Sequence, residues 1–254
     1  MKKRYFLVFL GLMLCLTSCV DIEEVYDFKA DGSCKIAYNF DMSKAVSVLM
    51  NLMSDSVRAT PQFAMAKDTS LNFYSALPDS TQNRMNAEEA NMAKSSNLLV
   101  NMNLKKNLMK VSVVHQAKNI ADLEYYVEHL SKIAGDSQFS GLTKGAKNLS
   151  SFDAQQLIAG QDYYDYEITP HKFYRIIDLS KFNAFLKRTQ STFAMAKAML
   201  IETPYKIVLN FATPVKKINN PHAILSADRK RVTLVTNMDE MIKDPTVTNL
   251  KIDF

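Results

Sequence analysis

Three times along this chain, two runs of alternating apolar and polar residues, joined by a short turn, lead into a stretch with helical spacing. A period of two puts every second side chain on one face of a strand, whereas a period near 3.6 gathers a stripe along a helix. Few folds satisfy that order of periods. In the first unit Tyr26 and Phe28 alternate inward along Glu23–Lys29, Asp31-Gly32 marks a tight hairpin, and Cys34, Ile36, Tyr38 and Phe40 alternate back. Asp41 or Ser43 is placed to cap a helix through about Met53, with Val46, Leu49, Met50 and Met53 on one side. In the second unit Leu98, Val100, Met102 and Leu104 precede Lys105-Lys106-Asn107, and Met109, Val111 and Val113 return. Asn119 then opens a helix striped by Ile120, Leu123, Val127 and Leu130.

The third unit pairs Asp162–Ile168 with Phe173–Ile177 across Thr169-Pro170-His171-Lys172. Ser180 then caps a helix carrying Phe182, Phe185, Leu186, Thr189, Phe193 and Leu200. Beyond it lie mostly strands: Tyr205, Ile207, Leu209 and Phe211 alternate, and Ala223–Ser226 pairs with Val232–Thr236 across Asp228-Arg229-Lys230. Met238–Lys243 makes a short helix, and Leu250, Ile252 and Phe254 form a last strand. Hairpins interleaved with helices predict an α+β fold, a mostly antiparallel sheet built from strand-strand-helix units with helices packed on one face. The units share pattern and not sequence, which excludes a solenoid repeat.

Two stretches break the rhythm. Residues 55–96 are polar and weakly periodic, with breakers at Pro61 and Pro78, and read as an insertion in which Ser80–Lys94 forms a surface helix. Residues 135–161 hold four of the six glycines and mark a long connection that divides the domain 23–254 into two subdomains or frames a functional loop.

The amino terminus is of a different kind. Lys2, Lys3 and Arg4 precede twelve apolar residues, Tyr5–Leu16, a length suited to a signal peptide and too short to span a bilayer. The run ends in Leu16-Thr17-Ser18-Cys19, which resembles the lipobox of bacterial lipoproteins. That resemblance implies cleavage after residue 18 and a diacylglyceryl group on the thiol of Cys19, leaving residues 19–22 as a short tether. At ~3.3–3.6 Å per extended residue such a tether reaches no more than ~15 Å. More than one acyl chain holds a protein stably on a membrane. The following Val20-Asp21-Ile22-Glu23-Glu24 is loosely similar to surface-export signals of Bacteroidota lipoproteins, and reads equally as the acidic start of the first strand. Val20, directly after the cysteine, departs from the aspartate of an inner-membrane retention signal, so the expected location is the outer membrane, on either face.

Loss of Lys2, Lys3 and Arg4 with the signal lowers the excess of Lys and Arg over Asp and Glu from five to two, and no nucleic-acid partner is expected. Of the three cysteines, Cys15 leaves with the signal and Cys19 is acylated, so Cys34 is expected to be a small buried hydrophobe. His115, His129, His171 and His222 show no metal-ligand spacing, and HExxH, CxxC, GxSxG, GxGxxG and Walker patterns are absent. No catalytic residue, metal or cofactor is therefore assigned. The one local candidate for ligand contact is Asp162-Tyr163-Tyr164-Asp165-Tyr166-Glu167, where alternation places Tyr163, Asp165 and Glu167 together, an arrangement suited to a sugar or cation. The simpler reading of that run is a half-buried strand showing its polar side. Fourteen methionines, among them Met50, Met53, Met195 and Met199 on helices covering the sheet, fit either core packing or a lipid-lined groove.

The chain is similar to Bacteroidota-type envelope lipoproteins through its lipobox, the Ala30-Asp31-Gly32-Ser33 hairpin, the helix after Asp41-Met42-Ser43, and the segments Pro204–Phe211 and Leu225-Ser226-Ala227-Asp228. A fainter resemblance is to mycobacterial lipoproteins associated with mannosylated lipids. The anchor together with the missing catalytic motifs leads to the expectation of a non-enzymatic envelope lipoprotein, attached to the membrane through its lipid anchor, that binds a lipid, glycan or envelope protein, with an enzyme ranked third. A lipid or glycolipid carrier with an apolar groove between sheet and helices is the alternative.

Overall fold

The computed structural model describes residues 20–64, 66–134, 163–198 and 203–254. The expected signal peptide, Cys19, the connection at 135–161 and the side chains of Phe193, Met195, Met199 and Leu200 lie outside what is described. Along the chain run β1 (Asp21–Phe28), β2 (Cys34–Asp41), α1 (Ser43–Leu52), β3 (Ala66–Asn72), α2 (Ala87–Lys94), β4 (Ser96–Asn103), β5 (Leu108–Ala117) and α3 (Ile120–Ala134). There follow β6 (Tyr164–Thr169), β7 (Lys172–Ile177), α4 (Leu179–Ala198), β8 (Pro204–Asn210), β9 (Lys217–Ile218), β10 (Ile224–Leu225), β11 (Arg231–Asn237), α5 (Met238–Lys243) and β12 (Leu250–Asp253).

The chain is α+β and its strands are mostly antiparallel. They form two sheets: eight strands in the order β10-β11-β8-β1-β2-β5-β4-β3, and four in the order β6-β7-β12-β9. Within the larger sheet β1 and β8 run parallel. The first hairpin turns where expected: Gly32 takes φ +82°, a value open to glycine without a Cβ clash, and Asp31 Oδ1 accepts from the Ser33 N–H at 3.0 Å. In the second hairpin Asn107 supplies the left-handed residue, at φ 52°. The opening of α3 is fixed reciprocally, Asp122 N–H donating to Asn119 Oδ1 at 2.9 Å and Lys118 N–H to Asp122 Oδ2 at 2.9 Å. At α4 the cap is Asp178 and not Ser180, because its Oδ1 accepts from the N–H groups of Ser180 and Lys181 at 2.8 and 3.1 Å.

Every second residue of β1 is buried, namely Ile22, Glu24, Tyr26 and Phe28, and the same parity holds in β2, β5 and β11. This face of the large sheet is covered partly by a helix and partly by the smaller sheet. Tyr126 of α3 stacks on His115 of β5, ring centroids 3.9 Å apart, while Phe173 of β7 meets Tyr26 and Phe28 of β1 at 5.2 and 5.9 Å. A covering layer that is half sheet was not legible from helix stripes alone. It arises because β7 pairs with the distant β12, Leu250 lying opposite Arg175. A satellite cluster of Val46, Met50, Phe63 and Leu104 packs α1 separately.

Residues 55–96 are more integrated than a polar insertion. They contain β3, paired in full register with β4, and Phe73, Met92 and Ala93 join the main core. The surface helix read over Ser80–Lys94 is shorter, with α2 beginning after a capping box in which Asn86 and Glu89 exchange hydrogen bonds. Of the expected tether 19–22, the described residues 20–22 belong to the fold. Val20 and Ile22 are buried and β1 starts at Asp21, so the acidic residues after the cysteine are the first half of an interior strand.

Candidate functional site

The strand parities that build the core also carry polar groups into it. Glu24 lies between Ile22 and Tyr26 on the inward face of β1, Arg175 between Phe173 and Ile177 on β7, and Tyr205 ahead of Ile207 and Leu209 on β8. All three are buried. Arg175 Nη1 donates to Glu24 Oε2 at 2.8 Å and its Nη2 to the Tyr205 hydroxyl at 2.9 Å. The Tyr205 hydroxyl in turn donates to Glu24 Oε1. The guanidinium lies 3.6 Å from the centre of the Tyr164 ring, a cation–π contact in a dry setting. Burial works against the charge on Arg175, but Glu24 and the surrounding tyrosines outweigh it and hold its pKa well above the ordinary value.

Around this pair stands a set of phenols. Tyr26 and Tyr38 hydroxyls are 3.0 Å apart, Tyr26 donates weakly to Glu24 Oε2 at 3.4 Å, and Tyr164 donates to Thr248 Oγ1 at 3.0 Å. Burial above all pushes Tyr26, Tyr38, Tyr126 and Tyr166 above the usual phenol range, with Arg175 opposing at Tyr166. They stay neutral at physiological pH and act as hydrogen-bonding groups, not as nucleophiles. Among the described residues no three His, Cys, Asp or Glu side chains gather as a metal site.

The local candidate read from sequence comes apart. Tyr163 precedes β6, so strand alternation does not reach it, and it is buried against Phe182 and Phe185 at 4.9 and 5.1 Å. Asp165 and Glu167 are exposed, each held by a lysine, Lys181 at 2.8 Å and Lys172 at 3.4 Å. The aromatic ring opposite Glu167 is Tyr174, which lies under Lys172 and Lys251 and donates to Asp253 at 2.8 Å.

Cys34 is buried, and burial, with Asp27 adding, pushes its thiol up to about 12. A thiolate is therefore scarce at neutral pH. Native protein incubated with a maleimide at pH 7 should leave Cys34 unlabelled until urea is added; rapid labelling without denaturant would refute this assignment.

His115, not singled out by sequence, is fully buried. Ser96 Oγ commits its one proton to Met92 O at 2.7 Å, so at 2.9 Å it accepts from Nδ1–H of His115. That leaves Nε2 as the bare nitrogen, and it meets no hydrogen-bond partner among the described residues. Its parity with Val111 and Val113 was the available signal. His129 is simpler: its Nδ1 pairs with Tyr125 O at 2.9 Å and its ring stacks on Tyr125 at 4.2 Å.

No family model matches the chain, and no curated protein does. Among solved structures, the NMR structure of the folded domain of LppM from Mycobacterium tuberculosis aligns over 93% of this chain and 88% of that one, with a TM-score of 0.36 and 6% identity.

Proposed function

We propose that this chain is a lipid-anchored envelope lipoprotein, held at the outer membrane through acyl groups on Cys19, which binds a partner or ligand there without catalysing a reaction. The observation that carries the reading is the junction between motif and fold. Leu16-Thr17-Ser18-Cys19 is followed at once by a buried Val20 and by Asp21, the first residue of a strand flanked by β2 and β8 inside the large sheet. An anchor on Cys19 then acts on the sheet itself and keeps the domain against its membrane. No helix among the described residues is long and apolar enough to cross a membrane, so the acyl groups would be the attachment.

The interior supports a surface-binding role over a lipid carrier. A carrier would place acyl chains between the large sheet and its covering layer. That space holds Glu24, Arg175, Tyr205, Tyr26 and Tyr38, and stripping these polar groups of their partners would cost several kcal/mol, of the order of 1–3 for each. The partner is then a lipid headgroup, glycan or envelope protein met on the outside. The paired Arg175 and the neutral tyrosines around it supply no activated nucleophile or general base, which supports the non-enzymatic reading.

In cells grown with a radiolabelled fatty acid, the wild-type chain should carry label and sediment with outer-membrane vesicles. Cys19→Ala should lose the label entirely and leave the membrane fraction or persist as an uncleaved precursor. Persistent label on the variant would overturn the anchor. Native mass spectrometry of the delipidated protein tests the remaining part: a lipid retained at near-unit occupancy would favour the carrier instead.

A further inference from the structure

Besides Nε2 of His115, three polar atoms of the interior find no hydrogen-bond partner among the described residues: Nε of Arg175 and the hydroxyls of Tyr126 and Tyr166. They converge. Tyr166 and Arg175 are directly opposite each other on β6 and β7, and both touch Tyr164, the guanidinium at 3.6 Å and the Tyr166 ring at 6.2 Å. Tyr126 stacks on Tyr38 at 6.4 Å, and Tyr38 shares its hydroxyl contact with Tyr26. The Tyr166 and Tyr26 rings both pack on Phe173, at 6.2 and 5.2 Å, which brings Tyr166 beside the Tyr26–Tyr38 pair. The three elements concerned, β6, β7 and α3, are the layer laid over the large sheet.

Native proteins leave few buried polar groups unsatisfied, and a cluster of three at one junction is a pattern that ordered internal water normally resolves, each molecule making about three hydrogen bonds. The chemistry narrows the guest. Glu24 already neutralises Arg175, so an anion gains little there. Arg175 Nε only donates, whereas each phenol both donates and accepts, so the guest must be small, neutral and able to do both. We propose that Arg175, Tyr126 and Tyr166 form an enclosed hydration site, in which ordered water joins the smaller sheet and α3 to the Tyr26–Tyr38 pair on the large sheet.

Oxygen-17 magnetic relaxation dispersion on the full-length protein in detergent counts long-lived internal water, and Tyr126→Phe and Tyr166→Phe each delete one hydroxyl with little change of shape. The wild type should show a dispersion from long-residence water, and each variant should lose part of its amplitude and unfold at lower urea. The Lys105→Ala variant, at an exposed position, should change neither. Truly orphaned hydroxyls behave in the opposite way, because removing them relieves desolvation and leaves the urea midpoint unchanged or raised. Dispersion amplitude equal to wild type in both Phe variants would overturn the proposal, whatever the midpoints.

Discussion

Arg175→Met should be among the most damaging single substitutions in this protein, with a loss of about 3–5 kcal/mol of folding stability in urea or guanidinium denaturation. The reason lies in what stays behind. Arg175 and Glu24 are both fully buried, and the guanidinium sits 2.8 Å from a carboxylate shut off from bulk solvent. Removing one partner leaves Glu24 in the interior without its counter-charge, so it must either stay ionised at high cost or take up a proton. The attraction between the two ions is not the quantity measured here; the cost is that of the uncompensated ion. A second variant separates the two ideas. Glu24→Leu combined with Arg175→Met removes both charges, and it should recover a large part of the loss despite changing twice as many residues. By contrast Lys206→Ala, which breaks the exposed 2.9 Å pair with Glu23, should cost no more than about 1 kcal/mol. A loss below about 1 kcal/mol for Arg175→Met would show that the interior tolerates the lone carboxylate.

The members of this cluster were legible one at a time in the sequence, and their meeting was not. The alternation that puts Tyr26 and Phe28 inward also puts Glu24 inward, and the same rule applies to Arg175 beside Phe173 and to His115 beyond Val113. An ionisable residue in phase with a buried stripe is a signal in its own right, since burial of a charge requires a partner. What alternation cannot supply is the partner's identity. Glu24 and Arg175 are 151 residues apart, and they meet because β7 lies in a second sheet whose pairing with β12 is set at the chain's end. The two hairpin turns were readable because φ above zero favours Gly32 and Asn107 locally. Tyr163 shows the converse. A period-two pattern extended one residue past the true strand start assigned it to the wrong face, and a stretch of alternating residues carries no mark of where the strand begins. β3 was missed because an edge strand with mostly exposed residues need not alternate at all.

His115 makes the second large prediction, one of pH. In the folded protein burial lowers its pKa from the ordinary 6.5 to about 4, with Asp122 opposing slightly. The proton would have to enter at Nε2, since Nδ1–H already donates to Ser96, and no acceptor among the described residues awaits it there. The unfolded chain takes up that proton near pH 6.5, before the folded one does, so acid favours unfolding. The contribution of this group is fully present above pH 6.5. It declines as pH falls, and has been lost once pH passes about 4. A displacement of that size corresponds to roughly 3 kcal/mol at 1.36 kcal/mol per pH unit. Carboxylates titrate over part of the same range, so the wild type alone does not isolate the effect. His115→Gln does, because its amide can still donate to Ser96 and does not titrate. At pH 7.5 the variant should be the less stable protein, having lost the stacking on Tyr126 at 3.9 Å. Between pH 6.5 and 4 its deficit should shrink by roughly 3 kcal/mol, as the wild type gives up stability that the variant never had. If the two denaturation curves instead keep a constant separation from pH 7.5 to 4, His115 is not the acid-sensitive group, and the join between β5, β4 and α3 takes its acid response from elsewhere.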